Sequence, residues 1–518
     1  MCGFVCLWNV GDETMARQMI GRLAHRGPDA VAVSRLPGSP VVMAHSRLSI
    51  IGPDDGAQPI HLTDDMLVAN GEIYNHEDIR AIIGPGAFAT ASDSETILHL
   101  YRRAGRRWIA RLDGMFAFVL ATRDRVIAAR DPLGIKPLYK ARMGGGQAFA
   151  SELKAFDGLA IDSVEAIPPG TLFDSVDGWR QWYRIPHGAA EPEPGFDAGR
   201  AAGELRLVLE EAVAKWMVAD VEVGSFLSGG LDSSIIAAIA QKVRRSQGKG
   251  RLRTFSVGTE NSPDLVAARA VAQHIGSDHK EYAFTAQDVA DNLPHVIYHL
   301  ESADVDLVRS AIPTLFAARL ARSDVKAVLT GEGADELFAG YTYHHAYADH
   351  PRALADELTR ALGTMHNINL QRVDRVTMAE SLEARTPFLD RDLIAFAQSI
   401  PATLKLRRTQ AEIAESTGPT TEKWILRKAC ADLLPPALIW RKKAQFDEGS
   451  GTVDALAGAL QKMKGATSPL DRQAEGALYA SILRKQFKDA DRILDNAGKW
   501  EAGRVATPAA TEALQRAV

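Results

Sequence analysis

The sequence predicts a multidomain α/β protein: layered, mainly antiparallel sheets with helices outside, followed by a doubly wound parallel sheet. Three observations predict it. At 518 residues the chain exceeds one ordinary hydrophobic core, so two to three domains are expected. Short strand-like runs joined by turns fill the first part, and a strand-then-helix rhythm fills the stretch beyond residue 200. Between them Ile185 to Gly195 (IPHGAAEPEPG), rich in Pro, Gly and Glu, reads as a linker, which divides the chain into domains at 1–190 and 200–518.

Composition excludes several function classes. Apolar residues make up 46%, charged residues 24%, and the net charge is -5, values of a soluble globular protein with no general attraction to nucleic acid or anionic membrane. No apolar run is long enough to span a bilayer, and the N-terminus lacks the basic-then-apolar layout of a secretory signal. Cys2, Cys6 and Cys430 form no CxxC pair, so neither disulfides nor a zinc site are expected, and a reduced, cytoplasmic compartment fits.

In chain order, CGFVCLWNV reads as a first strand, with Cys6 a core residue. Cys2 reads either the same way or, once Met1 is removed, as a residue carrying both a thiol and a free α-amine. With unperturbed pKa values of about 8.5 and about 7.7 to 8, the amine can relay the thiol's proton near neutral pH. His25–Asp29 (HRGPD), Ala44–Ile50 (AHSRLSI), Asn70–Asn75 (NGEIYN) and Ser92–Glu95 (SDSE) follow in that order. Leu112–Phe118 (LDGMFAF), VIAAR, Asp131–Tyr139 (DPLGIKPLY) and Ser151–Lys154 (SELK) read as strands and turns, with Arg111 and Lys136 structural and IPPG a turn near the domain's end.

In the second part Val221–Leu227 reads as a buried strand and Ser233–Val243 as a helix, so Ser228–Ser234 (SGGLDSS) lies at a strand's C-terminal end. Gly229 and Gly230 let a ligand approach the backbone, and the free N–H groups of the helix start attract anions. The lysine of a GxxxxGK[ST] loop is absent, and Asp232 stands in the loop instead, where beside phosphates it should hold Mg²⁺. Strands are expected at Arg253–Val257, Lys280–Phe284 and Val325–Leu329, and helices at Asp264–Ile275, Ala286–Leu300 and Ser310–Arg322. The loops after Leu227, Val257 and Leu329 should then converge. The last, Thr330–Tyr341 (TGEGADELFAGY), sets Glu332, Asp335 and Glu336 among glycines, which calls for a cation such as Mg²⁺.

SGGLDSS resembles the pyrophosphate loop of the ATP-pyrophosphatase enzymes, and TGEGADE is similar to the SGEGSDE segment of asparagine synthetases. With the motifs of the first part, residues 2–451 resemble the glutamine-dependent, B-type asparagine synthetases: an N-terminal-nucleophile glutaminase domain and an ATP-pyrophosphatase synthetase domain. The resemblance implies Cys2 as nucleophile, with Asn70 and Gly71 stabilising the oxyanion. Glutamine recognition requires a cation for the α-carboxylate, supplied by Arg47, and anions for the α-ammonium, supplied by Glu72 and Asp93. It further implies that Phe226, Val257, Thr330 and Gly331 line an ATP pocket whose phosphates rest on Ser228, Gly229, Gly230 and Ser233, with Asp232 and Asp335 facing Mg²⁺. Glu332 becomes the acid–base residue near an acyl-adenylate, and Lys443 the cation facing the charge that develops there. Met378–Asp390 (MAESLEARTPFLD) would help shape the acceptor site, with Glu383 and Arg385 structural.

The implied substrates are glutamine, ATP and L-aspartate, joined by an internal passage for ammonia. Ala444 and Asp447–Glu448 depart from the family's usual glutamate and Ser-Asp, which leaves open another carboxylic acid of secondary metabolism or cell-wall modification as acceptor. A noncatalytic nucleotide- or glutamine-sensing protein is the reading from another class; Cys2, Asp232, Glu332, Asp335 and Lys443 argue against it. Relatives are often homodimers, and nothing in the sequence marks an interface. From Thr452 onward the chain shows modest helical patterning and no motif.

Overall fold

The computed structural model describes residues 2–408, 420–441, 449–465 and 468–500. Two antiparallel six-stranded sheets are built from the first part. One runs Ser163–Ala166, Tyr139–Met143, Gly146–Ala150, Gly3–Trp8, Val41–Arg47, Ala30–Arg35 in spatial order; the other runs Gly178–Gln181, Thr171–Asp174, Val126–Arg130, Gly114–Ala121, Asp65–Ile73, Ile60–Leu62. Period-two alternation explains how they stack. Phe4, Cys6, Val41, Met43 and Phe149 meet Met66, Val68, Ala117, Val119 and Ala128 in a core between the sheets. One residue along, Val5, Leu7, Val42 and Ala44 face outward onto Ala16, Met19 and Ile20 of helix Glu13–Gly21. On the opposite outer face Leu67, Ala69, Phe116 and Phe118 pack against Ile79 of helix His76–Ile83 and Ile97, Leu98 and Leu100 of helix Glu95–Arg103. The result is a helix–sheet–sheet–helix sandwich.

The third sheet is parallel and five-stranded, in the order Asp278–Ala283, Arg253–Gly258, Val223–Phe226, Ala327–Leu329, Glu383–Arg385. Four of these strands lie where the hydrophobic runs place them. The fifth, EAR, is too short to show a periodic signal, and its pairing with Ala327–Leu329 is made by main-chain bonds that any side chain permits. Helix Pro263–Ile275 starts behind a Ser262 cap, and helix Ala286–Leu300 behind a Thr285/Asp288 capping box. Helix Val305–Ala321 begins five residues before the expected Ser310, because Asp304 Oδ1 accepts from the N–H groups of Asp306 and Leu307, both at 3.0 Å.

Two stretches behave differently from their composition. In the Pro/Gly-rich stretch, the Ala189 N–H donates to Gln398 O at 2.8 Å and Ala189 O accepts from Ala402 N–H at 2.9 Å, so this segment is bonded into the second part. The stretch from Thr452 forms helices Thr452–Lys464, Arg472–Gln486 and Ala490–Asp495. Arg309 forks onto Glu475 at 2.9 and 2.6 Å, and Phe487 stacks on Tyr298. Asp489 exchanges bonds with Gly158 and Asp157, so these helices clasp the sandwich as well as the parallel-sheet part. No helix among the described residues is long and apolar enough to cross a membrane.

Candidate active sites

The strand ends of the parallel sheet open into a cavity of about 780 Å³. It is lined by Phe226, Ser228, Gly230, Asp232, Ser233, Val257, Thr330, Gly331, Glu332 and Asp335, so the sequence-predicted ATP residues other than Gly229 meet in one place. Gly229 shapes the turn beneath it: φ is 73°, and a Cβ there would stand 2.6 Å from Ala268 N. A Cβ on Gly331 would stand 2.8 Å from Asp232 Cβ, which is why the two loops can approach. Helix Leu231–Ser246 points its N-terminus at the cavity.

Between the loops lies a cation absent from the sequence-based site. Lys423 Nζ is 2.5 Å from Asp232 Oδ2 and 2.6 Å from Asp335 Oδ1, with its side chain 1% exposed. Gly340 makes room for it, since a Cβ there would stand 1.9 Å from Asp335 Oδ1. Arg372 Nη2 donates to Glu332 Oε1 at 2.5 Å, and Arg441 donates to both Gly229 O and Asp264 at 2.9 Å. Lys443 lies outside the described residues.

Glu336 is buried behind this cluster, where Tyr341 OH and Asn369 Nδ2 donate to its Oε1 at 2.6 and 2.8 Å. Burial, with repulsion from Asp335 and Glu332, pushes its carboxyl up to about 8. Folding therefore favours the protonated form. The stability this group contributes is complete below its ordinary 4.5 and lost as the pH rises through about 8. Melting curves across that window should show the native protein losing stability relative to Glu336→Gln; parallel curves would remove the assignment.

At the open end of the first sheet, Cys2 is 8% exposed. Its N–H donates to Asn70 Oδ1 at 3.0 Å, its carbonyl accepts from Arg26 Nε at 2.9 Å, and Sγ stands 3.9 Å from Leu48 O. Burial, with the nearby Glu72 and Glu383 carboxylates, pushes the thiol pKa up. Asn70 Nδ2 has no hydrogen-bond partner among the described residues. Gly71 has φ 138°, and a Cβ there would fall 1.9 Å from Met115 O, so only glycine fits this strand position. Asp93 Oδ2 accepts from Ile73 N–H at 2.6 Å. Arg47 donates to the carbonyls of Pro53, at 3.0 Å, and Gly52, so part of its fork is engaged by the backbone.

The two sites meet across a buried ionic seam. Arg26 bonds Glu152 at 2.5 Å and Asp374 at 2.8 Å; Lys136 stands 3.8 Å from Asp374; and Arg375 pairs with Glu301 at 3.3 Å. Charges this deep are tolerated because they are paired. Glu383 and Arg385, expected to be at least structural in the segment that shapes the acceptor site, face the cysteine end of this seam: Arg385 Nη2 is 3.7 Å from Glu72 Oε2. A parallel strand carries alternate side chains to opposite faces, and residues 383 and 385 share the face turned to the sandwich.

Residues 204–355 and 347–515 match the family described as asparagine synthase, and residues 1–166 match the glutamine amidotransferase domain. The chain is 39% identical over 477 residues to the asparagine synthetase [glutamine-hydrolyzing] of Zea mays, covering 87% of this chain and 78% of the relative. It is 38% identical over 523 residues to asparagine synthetase [glutamine-hydrolyzing] 3 of Arabidopsis thaliana, covering 94% and 88%. With both halves matched and most of each relative covered, this chain belongs to the glutamine-hydrolysing asparagine synthetase family.

Proposed function

We propose that the protein is a glutamine-hydrolysing asparagine synthetase, a ligase that amidates the side-chain carboxylate of L-aspartate with nitrogen from glutamine and converts ATP to AMP and pyrophosphate. The observation that carries this reading is one buried helix, Asn369–Met378, which serves both sites: its Asp374 holds the Arg26 that grips the Cys2 carbonyl, and its Arg372 holds Glu332. In the domain at 1–190 the Cys2 thiolate attacks the glutamine amide. Asn70 Nδ2 and the Gly71 N–H are the donors for the oxyanion, Glu72 and Asp93 receive the α-ammonium, and Arg47 the α-carboxylate. Ammonia released there passes along the seam, away from water.

In the domain at 200–518 the SGGLDSS amides hold the phosphate chain, and Glu332 manages the proton as ammonia attacks the acyl-adenylate. Asp232 and Asp335 already converge on one cation, Lys423, and this pair of hard oxygens fits Mg²⁺, which when bound neutralises charge on the leaving pyrophosphate. Lys443 adds a cation to the same charge. Three buried free cysteines fit a reduced, cytoplasmic compartment; small-molecule substrates, no nucleic acid or membrane, and a homodimer of the kind common among relatives complete the reading.

The test is pyrophosphate release and amide formation with MgATP and amide-¹⁵N glutamine, aspartate being compared with a panel of other carboxylic acids. Labelled asparagine from aspartate alone is expected. Turnover of another acid with aspartate inert would leave the chemistry and overturn the acceptor.

A further inference from the structure

We propose that Arg385, delivered by the parallel sheet's edge strand, is a positioning residue of the glutamine pocket that counteracts the neutralisation of Glu72 and so helps it receive the substrate's α-ammonium. The inference rests on the reading of that pocket as a glutamine site. Glu72 has little access to water, and its charged neighbours are Glu383, Asp93, Arg385 and the chain's α-amine. Burial first, then repulsion by Glu383 and Asp93, raises the Glu72 carboxyl well above the usual carboxylate range, and Arg385 opposes that shift without reversing it. A neutral Glu72 would make a poor seat for an ammonium ion.

The geometry gives Arg385 this task. Its side chain is fully buried, Nε–H donates to Glu383 Oε1 at 2.6 Å, and Nη1 donates to the carbonyls of Trp216 and Val218 at 2.8 and 2.7 Å. These bonds fix the guanidinium plane, which also lies 5.6 Å from the Tyr74 ring centroid. Nη2 is left 3.7 Å from Glu72 Oε2, and neither atom has a hydrogen-bond partner among the described residues. That separation is too long for a hydrogen bond but close enough for strong attraction in a dry site, so Arg385 acts on the charge of Glu72 while leaving its oxygen open to a ligand. The main chain of the same residue reaches the other site: Arg385 O accepts from Thr330 N–H at 2.8 Å, at the start of the acidic nucleotide loop.

The experiment uses full-length native protein, Arg385→Met and Arg385→Lys. Glutamine hydrolysis is followed across pH, with ammonia-driven synthesis and thermal melts alongside. Arg385→Met is expected to raise the glutamine KM about tenfold near pH 7 and to move the acid limb of kcat/KM up by about one pH unit, the tenfold change that one pKa unit represents. Arg385→Lys should shift both less, and ammonia-driven synthesis should persist. An unmoved acid limb and KM, with only kcat reduced, would overturn the proposal, as would equal loss of glutamine- and ammonia-driven synthesis in both variants. If Arg385→Met does not fold, an unshifted limb in Arg385→Lys overturns it alone. Failure of the native protein to hydrolyse glutamine would instead overturn the underlying reading of the pocket, and this inference with it.

Discussion

Cys2→Ala is expected to lower glutamine-driven asparagine formation by at least about 10³-fold while ammonia-driven formation continues, because it removes the proposed nucleophile, the Cys2 thiol. The contacts that build the site use the backbone of this residue: its N–H is held by Asn70 and its carbonyl by Arg26. Sγ contributes only a 3.9 Å approach to Leu48 O, so the substitution removes the chemistry and leaves the frame. Product formation from ammonium chloride and from glutamine, measured on one preparation, separates the two activities. A variant that still used glutamine would transfer the nucleophile to another group, and joint loss of both activities would mean that the residue acts on the fold.

Lys423→Met carries the second large effect. Removing one ammonium takes a buried cationic partner from both Asp232 and Asp335. Because both carboxylates keep some water, at 13% and 19% exposure, the loss belongs at the low end for a broken buried pair, about 3 kcal/mol. On the proposed role of these two aspartates, the Mg²⁺ of MgATP would put a cation back between them, so MgATP should raise the melting temperature of the variant more than that of the native protein. Denaturant midpoints with and without MgATP test this. An unchanged midpoint in the variant would mean that the two aspartates do not need the lysine.

The parts of these sites that were legible in the sequence are those in which one short segment does the work. SGGLDSS and TGEGADE carry their own glycines, carboxylates and helix starts, and each announces itself at the end of an apolar run. The cations that complete them come from afar. Lys423 is 191 positions from Asp232, and Arg372 is 40 from Glu332. Neither has a local pattern, since an arginine in a buried helix and a lysine opening a six-residue one look like ordinary helix residues. Glu383 and Arg385 were visible, but their direction was not, because a three-residue strand leaves the facing side to its neighbours. The tail helices were faint for a related reason: their apolar faces are completed by residues from two other regions of the chain.

The clasp formed by those tail helices sets an order of events during synthesis. Domains fold as units while the chain emerges, so the paired antiparallel sheets can assemble early. Asp489 and Glu475, which tie residues 157–158 and Arg309 to the tail, are translated only after both sites exist. A ribosome-bound nascent chain is thus without this brace until Asp489 has been made, and a message cut short before it would yield a chain lacking the bonds that tie residues 157–158 to the tail helices.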